Sequence, residues 1–144
     1  MEFYIVLLVS WSYSFYAVAF SGRRPAKKYY QKILQPANYF WHLAGGSLLS
    51  MGAYYLAKWK SEFYIVLISP LCFLLVLQLC NGITRAMYGR NVILLYRGDV
   101  KPKEFKWYVD GMLSVVCLGV PMAFPALFIN YFRHFHEIKI GVTN

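Results

Sequence analysis

The stretch Ala37–Ala57 constrains this chain most, because its 21 residues include no Lys, Arg, Asp or Glu. A helix of that length can cross the hydrocarbon core of a bilayer. On a helical period, five residues share one face and four of them are small: His42, Gly46, Ser50, Ala53 and Ala57. Small residues in register let another helix approach closely, which favours association in lipid. The stretch is therefore predicted to be a membrane helix that packs against another helix, in the same chain or in a neighbouring one.

The composition agrees with a membrane protein. Of the 144 residues, 59% are apolar and only 15% are charged, whereas soluble domains carry about 25% charge. The net charge of +9 does not indicate a nucleic-acid partner, because the basic residues lie between apolar runs, as juxtamembrane charges do. Cys72, Cys80 and Cys117 lie within apolar runs and are interpreted as free thiols that pack as small apolar groups.

Four apolar runs predict four transmembrane helices, over residues 3–20, 37–57, 62–82 and 107–132. The turn 58–61 is so short that the second and third spans should be antiparallel neighbours. The expected fold is all-α, with two helical hairpins in a single domain covering residues 1–144. Pro25 and Pro36 bracket a short amphipathic stretch between the first two spans. It is interpreted as an interfacial helix in the headgroup layer, with an ordinary basic loop as the alternative.

The distribution of positive charge predicts the topology. The two loops between spans one and two and between spans three and four hold eleven Lys and Arg residues, and the opposite side holds four. The positive-inside rule then places both termini outside, in a bacterial or organellar inner membrane. Basic residues on the inner side are expected to contact anionic lipid or an acidic partner; the candidates are Arg23, Arg24, Lys27, Lys28, Lys32, Arg85, Arg90 and Arg97.

The third loop contains an apolar island, Asn91–Tyr96, that is too short to cross a membrane. It is interpreted as an interfacial segment or as a patch that docks on a partner. Three prolines, Pro70, Pro121 and Pro125, lie within the predicted spans. Each removes a backbone donor and crowds the carbonyl four residues earlier, so kinks with locally freed carbonyls are expected.

The hexapeptide EFYIVL occurs twice, at Glu2–Leu7 and at Glu62–Leu67. Both copies open an apolar run on the same predicted side of the membrane. Parallel repeats related about the membrane normal are known in transporters. The match suggests a duplicated hairpin, and coincidence between two aromatic-aliphatic helix starts is the alternative.

Four polar residues could form a path through the predicted bundle: His42, Gln78, Asn81 and Asp110. His42 could hydrogen-bond between helices or relay a proton, but a bis-histidine haem would need a second histidine inside the membrane. Asp110 could pair with Lys106, Arg85 or Arg90, or it could line a polar cavity with His42. Gln78 and Asn81 could hydrogen-bond across to another helix.

The sequence indicates no metal, no cofactor and no catalytic residues. His134 and His136 lie close to Glu137, but residues at i and i+2 diverge on a helix, and no third ligand has a convincing spacing. Nor does a nucleophile lie near a base in a recognisable motif.

The leading functional hypothesis is a non-catalytic structural or accessory subunit of a larger multi-subunit membrane complex. It would pack by the small-residue face of the second span, by the kinked fourth span and by the apolar island. Its partners would be membrane lipids and either other subunits or copies of itself. The alternative is a homo-oligomeric channel or small transporter with a polar path near His42 and Asp110, and a membrane enzyme or redox anchor ranks last.

Overall fold

The chain is all-α, as the sequence predicts. The computed structural model describes residues 2–20, 24 and 27–141, with side chains at residues 4–19, 24, 27–129, 131 and 133, and this part contains no β-strand. The elements in order are α1 (Glu2–Phe15) with a π-helical turn (Tyr16–Phe20), α2 (Tyr29–Ile33), α3 (Pro36–Trp59), a 3₁₀ helix (Glu62–Ile68), α4 (Ser69–Tyr88), a second π-helical turn (Trp107–Gly111) and α5 (Met112–Gly141).

Among the described residues, two helices could span a membrane by length and composition. They cover Glu62–Tyr88, with mean hydropathy 2.4, and Trp107–Ile129, with mean hydropathy 2.2. The apolar part of the first helix, Tyr4–Ala19, is shorter. Helix α3 has 24 residues but is less apolar than these two. Four spans therefore stay a prediction.

The small-residue face of α3 is used inside the chain. Helix α3 packs chiefly against the 3₁₀ helix and also against α4. A Cβ added at Gly46 would lie 3.4 Å from Leu74 Cδ1 and 3.6 Å from Leu71 Cα, so α4 approaches closely at this glycine. Ala53 and Ala57 are buried farther along the same face. The predicted helix–helix contact is thus made within one hairpin.

The two copies of EFYIVL adopt different helical forms. The first lies in α1, and the second forms the 3₁₀ helix that packs against it. The 3₁₀ form ends at Ile68, and Pro70 lies in the first turn of α4. Proline is favoured there because the first helical N–H groups have no partner within the helix. Pro70 was expected to kink a helix and instead marks a change of helical form. The duplication itself stays a prediction.

Two serine hydroxyls donate to backbone carbonyls of neighbouring helices, and one of these carbonyls is left free by a proline. Pro125 has no N–H for the carbonyl of Pro121, and Ser69 Oγ donates to that carbonyl at 2.7 Å. The carbonyl of Val66 accepts the backbone N–H of Ser69, and Ser10 Oγ donates to the same carbonyl at 2.5 Å. Both bonds are buried and join different helices. Helix α5 continues through Pro121 and Pro125, and the Ser69 bond supplies a donor for the carbonyl that Pro125 leaves free.

Replacing Ser69 by alanine should destabilise the fold by about 1–2 kcal/mol, because a buried carbonyl loses its donor. The measurement is the free energy of unfolding of the detergent-solubilised protein. Ser12→Ala is the matched control, since Ser12 is exposed and bonds only within α1. Adding Pro125→Ala restores an N–H for the Pro121 carbonyl, so Ser69→Ala should cost less in that background. Equal costs in the two backgrounds would contradict this account.

Candidate functional site

The apolar island Asn91–Tyr96 lies in the middle of the fold as extended chain, and we call it the core segment. Val92, Ile93 and Leu94 are buried. It follows α4 after Gly89 and ends before Gly98, and both glycines have positive φ angles, of 65° and 89°. Glycine adopts that conformation without the steric cost that a side chain brings. The chain's own helices cover Val92, Ile93 and Leu94, whereas Tyr96 is 41% exposed. An interfacial position of this island, or docking through its exposed end, stays a prediction.

Side chains from three helices satisfy the backbone of the core segment. The amide of Val92 donates to Asn81 Oδ1 at 3.1 Å, and the amide of Leu95 donates to Ser114 Oγ at 3.1 Å. Gln31 Nε2 donates to the carbonyl of Val92 at 3.0 Å. Buried peptide groups need such partners when no strand or helix supplies them. Asn81, which was predicted to hydrogen-bond to another helix, accepts a hydrogen bond from the backbone of the core segment.

Tyr30 of α2 is the central residue of this network. Its hydroxyl accepts the amide of Leu94 at 3.0 Å and lies 3.5 Å from the carbonyl of Val92, to which it donates. Burial is the main cause that raises the pKa of Tyr30 to about 12, so the hydroxyl keeps its proton at neutral pH. Tyr30 and Ile33 are fully buried. The short helix α2 therefore packs one face into the core, and its expected position in the headgroup layer stays a prediction.

A buried ion pair joins the start of loop 89–106 to the start of α5. Arg90 donates two hydrogen bonds to Asp110, from Nη2 to Oδ2 at 2.6 Å and from Nη1 to Oδ1 at 3.2 Å. The Asp110 side chain is fully buried. Its oxygens also accept the amides of Lys106 at 2.8 Å and Ile93 at 3.5 Å. Of the three partners predicted for Asp110, Arg90 is the one found.

A second buried ion pair joins the loop after α1 to the loop after the core segment. Lys28 Nζ lies 2.5 Å from Asp99 Oδ2, with side-chain exposures of 0% and 4%. Lys28 also donates to the carbonyl of Val18, and Asp99 also accepts the amide of Tyr96. Lys28 and Arg90 were expected to contact lipid, and both are instead engaged in pairs inside the fold.

The other predicted lipid contacts are exposed where they are described: Arg24, Lys27, Lys32, Arg85 and Arg97. Arg85 is partly engaged, because its Nε donates to Asn91 Oδ1 at 2.9 Å. Arg23 lies outside the described residues. The exposed guanidinium and ammonium groups can interact with phosphate groups, but Lys28 and Arg90 cannot do so without breaking their pairs.

His42 lies between two tyrosines. The Tyr13 hydroxyl is 3.1 Å from Nδ1, and the Tyr29 hydroxyl is 3.2 Å from Nε2. The rings of Tyr29 and His42 meet edge to face, with centroids 5.7 Å apart. The imidazole thus links α1, α2 and α3, which is the interhelical hydrogen bonding expected of it. A cavity of about 260 Å³ lies beside it, between α1, α3 and α4.

The four residues of the predicted polar path lie apart, and three of them have separate partners. His42 contacts tyrosines, Asp110 pairs with Arg90, and Asn81 binds the core segment. Gln78 is exposed on the outer side of α4, in an open groove that Tyr39, Leu75, Leu79, Gly82, Ile83 and Ala86 complete.

The remaining candidates are the three cysteines and the histidines of the tail. Cys72, Cys80 and Cys117 are buried free thiols. A search of the described residues finds no group of three His, Cys, Asp or Glu side chains that could hold a metal ion. The side chains of His134 and His136 lie outside the described residues, so the tail is not included in that statement.

Sequence reasoning missed three contributors: Tyr30, Ser114 and the pair of Lys28 with Asp99. Ser114 follows Asp110 by four residues, so both lie on one face of a helix, and this spacing is a usable signal. The Lys28–Asp99 pair spans 71 residues along the chain, and nothing in the local sequence indicates it. Tyr30 belongs to a tyrosine pair, Tyr29-Tyr30, whose members face different partners.

Compared with known proteins, the chain matches no family model, no curated protein and no solved structure. Its function is therefore proposed from its own residues and contacts.

Arg90→Met should destabilise the fold by about 3 kcal/mol or more, because it leaves the Asp110 carboxylate buried without its cation. Arg97→Met, at an exposed arginine, is the matched control and should cost little. Adding Asp110→Asn to Arg90→Met removes the uncompensated charge and keeps an acceptor, so stability should partly recover. Unfolding by SDS titration in mixed micelles measures all three. An Arg90→Met protein as stable as Arg97→Met would show that the pair is dispensable.

Proposed function

We propose that this chain is an integral membrane protein of four spans and a non-catalytic subunit of a larger membrane assembly. In this proposal α1 with its π-helical turn, α3, the 3₁₀ helix with α4, and α5 cross the bilayer. The basic loops lie on the inner side and both termini on the outer side. The membrane is a bacterial or organellar inner membrane.

The exposure of α5 supports the membrane location. Its most apolar window has mean hydropathy 2.2, yet only 22% of that window is buried within the fold. Val115 and Leu127 are each 72% exposed. A core helix of a soluble protein would bury these side chains, because large exposed apolar patches are rare in soluble monomers. Acyl chains would solvate them at no cost.

Exposed tryptophans and the lengths of the helices agree with this location. Trp41, Trp59 and Trp107 are all exposed near helix ends, where membrane proteins place aromatic residues at the lipid–water interface. The 24 residues of α3 extend about 36 Å at 1.5 Å per residue, which exceeds the thickness of the hydrocarbon core. Arg24, Lys27, Lys32 and Arg97 would meet anionic headgroups.

The buried carboxylates support a structural rather than a catalytic role. Asp110 and Asp99 each pair with a cation and accept a backbone amide. A general acid or base needs a carboxylate that can reach a substrate proton. These two hold the core segment between the helices instead.

The observation that carries the subunit proposal is the outer groove of α4. Gln78 lies there on an otherwise apolar face, and its amide has no hydrogen-bond partner among the described residues. An unpaired amide is costly in hydrocarbon. Gly82 and Ala86 follow it at intervals of four, and a Cβ at Gly82 would meet nothing within 4 Å. A transmembrane helix of another subunit could approach closely here and pair with Gln78.

Gly82→Leu should release the protein from its assembly without unfolding it. The leucine would fill the groove, while α4 itself would gain up to about 1 kcal/mol of helix propensity. The measurement is mild-detergent extraction of the tagged protein from its native membrane, followed by native mass determination. Wild type should run with several different polypeptides and Gly82→Leu as a 16.8 kDa chain.

Gly119→Leu is the matched control, because Gly119 of α5 is equally open and lies outside the groove. An assembly that survives Gly82→Leu would rule out this groove as the contact. A wild-type mass that is a whole multiple of 16.8 kDa would contradict the subunit proposal and favour the homo-oligomeric channel or transporter. Gly46→Leu is unsuitable as a test of partners, because Gly46 packs against Leu71 and Leu74 of the same chain.

A further inference from the structure

The cavity beside His42 combines an apolar wall with one polar end. Its volume is about 260 Å³, and it is partly enclosed between α1, α3 and α4. Val9, Leu49 and Pro70 contribute apolar surface, and Tyr13 and His42 lie at the polar end. Ligand sites commonly have this character, with mostly apolar walls and a few placed polar groups. The volume suits one ring or a short stretch of chain.

The hydrogen bonds around His42 leave the hydroxyl proton of one tyrosine available to a molecule bound in the cavity. A neutral imidazole has one N–H and one acceptor nitrogen, and each nitrogen of His42 faces a tyrosine hydroxyl. The tyrosine that accepts the imidazole N–H keeps its own O–H proton. With the proton on Nδ1, that tyrosine is Tyr13, which lines the cavity. An acceptor atom in the cavity would select this tautomer and receive the Tyr13 proton.

The opening of the cavity restricts how an occupant can enter. Trp41 and Val9 at its edge are 74% and 58% exposed on the outer surface of the helices, which would face lipid. His42 lies six residues after Pro36, the first residue of α3, which is about 9 Å along the helix axis. In a membrane this depth is just inside the interface, where lipid-soluble molecules hold their polar groups.

We propose that this cavity binds a lipid-soluble molecule through a carbonyl oxygen. The carbonyl accepts the Tyr13 hydroxyl proton, His42 holds that hydroxyl in place, and the apolar part of the molecule lies along Val9, Leu49 and Pro70. Two membrane components have this chemistry, namely the ring of a quinone and the acyl ester of a phospholipid. The inference rests on the proposed membrane location and is independent of the proposed assembly through α4.

Native mass spectrometry of the full chain in dodecyl maltoside micelles tests the proposal. The probes are a benzoquinone with a decyl tail, a diacyl phosphatidylcholine, and the ether-linked phosphatidylcholine that lacks carbonyls. We expect one of the first two probes to saturate at one molecule per chain, which identifies the source of the carbonyl. The ether lipid should bind at least tenfold more weakly. Tyr13→Phe should weaken the productive probe about tenfold, which corresponds to about 1.4 kcal/mol.

Two glycine variants separate binding in the cavity from general lipid adhesion. Gly45 lines the cavity, and an added Cβ there would meet nothing within 4 Å. Gly45→Leu should therefore block the cavity and abolish saturable binding while the fold persists. Gly119→Leu and Tyr39→Phe, both outside the cavity, should leave affinity unchanged.

Three results would overturn the proposal. They are no saturable binding of either carbonyl probe, binding that survives Gly45→Leu, and saturable binding of the ether lipid with the same affinity as the carbonyl probe that binds. The last result would mean that the cavity binds acyl chains without a hydrogen bond to a carbonyl oxygen. Because the protein is tested here as a solubilised single chain, none of these results depends on whether Gly82→Leu disrupts assembly.

Discussion

The need to satisfy the peptide groups of one buried extended segment determines much of this fold. Residues 92–94 are buried in the core and lie outside any helix or strand, so their peptide groups depend on side chains for hydrogen bonds. In a bilayer, irregular backbone is tolerated only where protein or a water-filled cavity surrounds it. Asn81, Ser114 and Tyr30 meet this requirement from three separate helices. These hydrogen bonds favour an arrangement of the helices in which the three side chains converge on the core segment.

The two buried ion pairs follow from the same requirement. Each carboxylate accepts backbone amides at or near the core segment and is neutralised by a cation from another part of the chain. Buried pairs are weak sources of net stability but strongly disfavour any arrangement that separates them. The pairs thus favour the observed positions of Lys28, at the start of α2, and of loop 89–106 relative to the other helices. They also reduce the basic charge that remains for lipid or a partner.

Local sequence predicted the helical class, the bounds of the hairpin turn, the small face of α3 and the prolines that free carbonyls. These features depend on residues a few positions apart, where periodicity and backbone chemistry are informative. It did not predict the burial of residues 92–94, because a short apolar run between glycines looks the same in a core and at an interface. It did not predict Lys28 with Asp99 either, since long-range pairing leaves no mark in a single sequence. Asp110 was identified, and the choice of Arg90 among three cations needed the fold.

The inner and outer faces of the α3–α4 hairpin differ in the contacts that they make within the chain. Gly46, Ala53 and Ala57 are packed against other parts of the same chain. The small-residue face of α3 is therefore not available at these positions to another subunit. What remains outside on α4 is Gln78 with Gly82 and Ala86, a polar group and two small residues without a structural task in the monomer. Internal stability does not require an amide in that position, and in lipid it would be a cost. In the proposed assembly, a partner helix that pairs with Gln78 would turn that cost into a specific contact, and this is the argument for proposing association at this face.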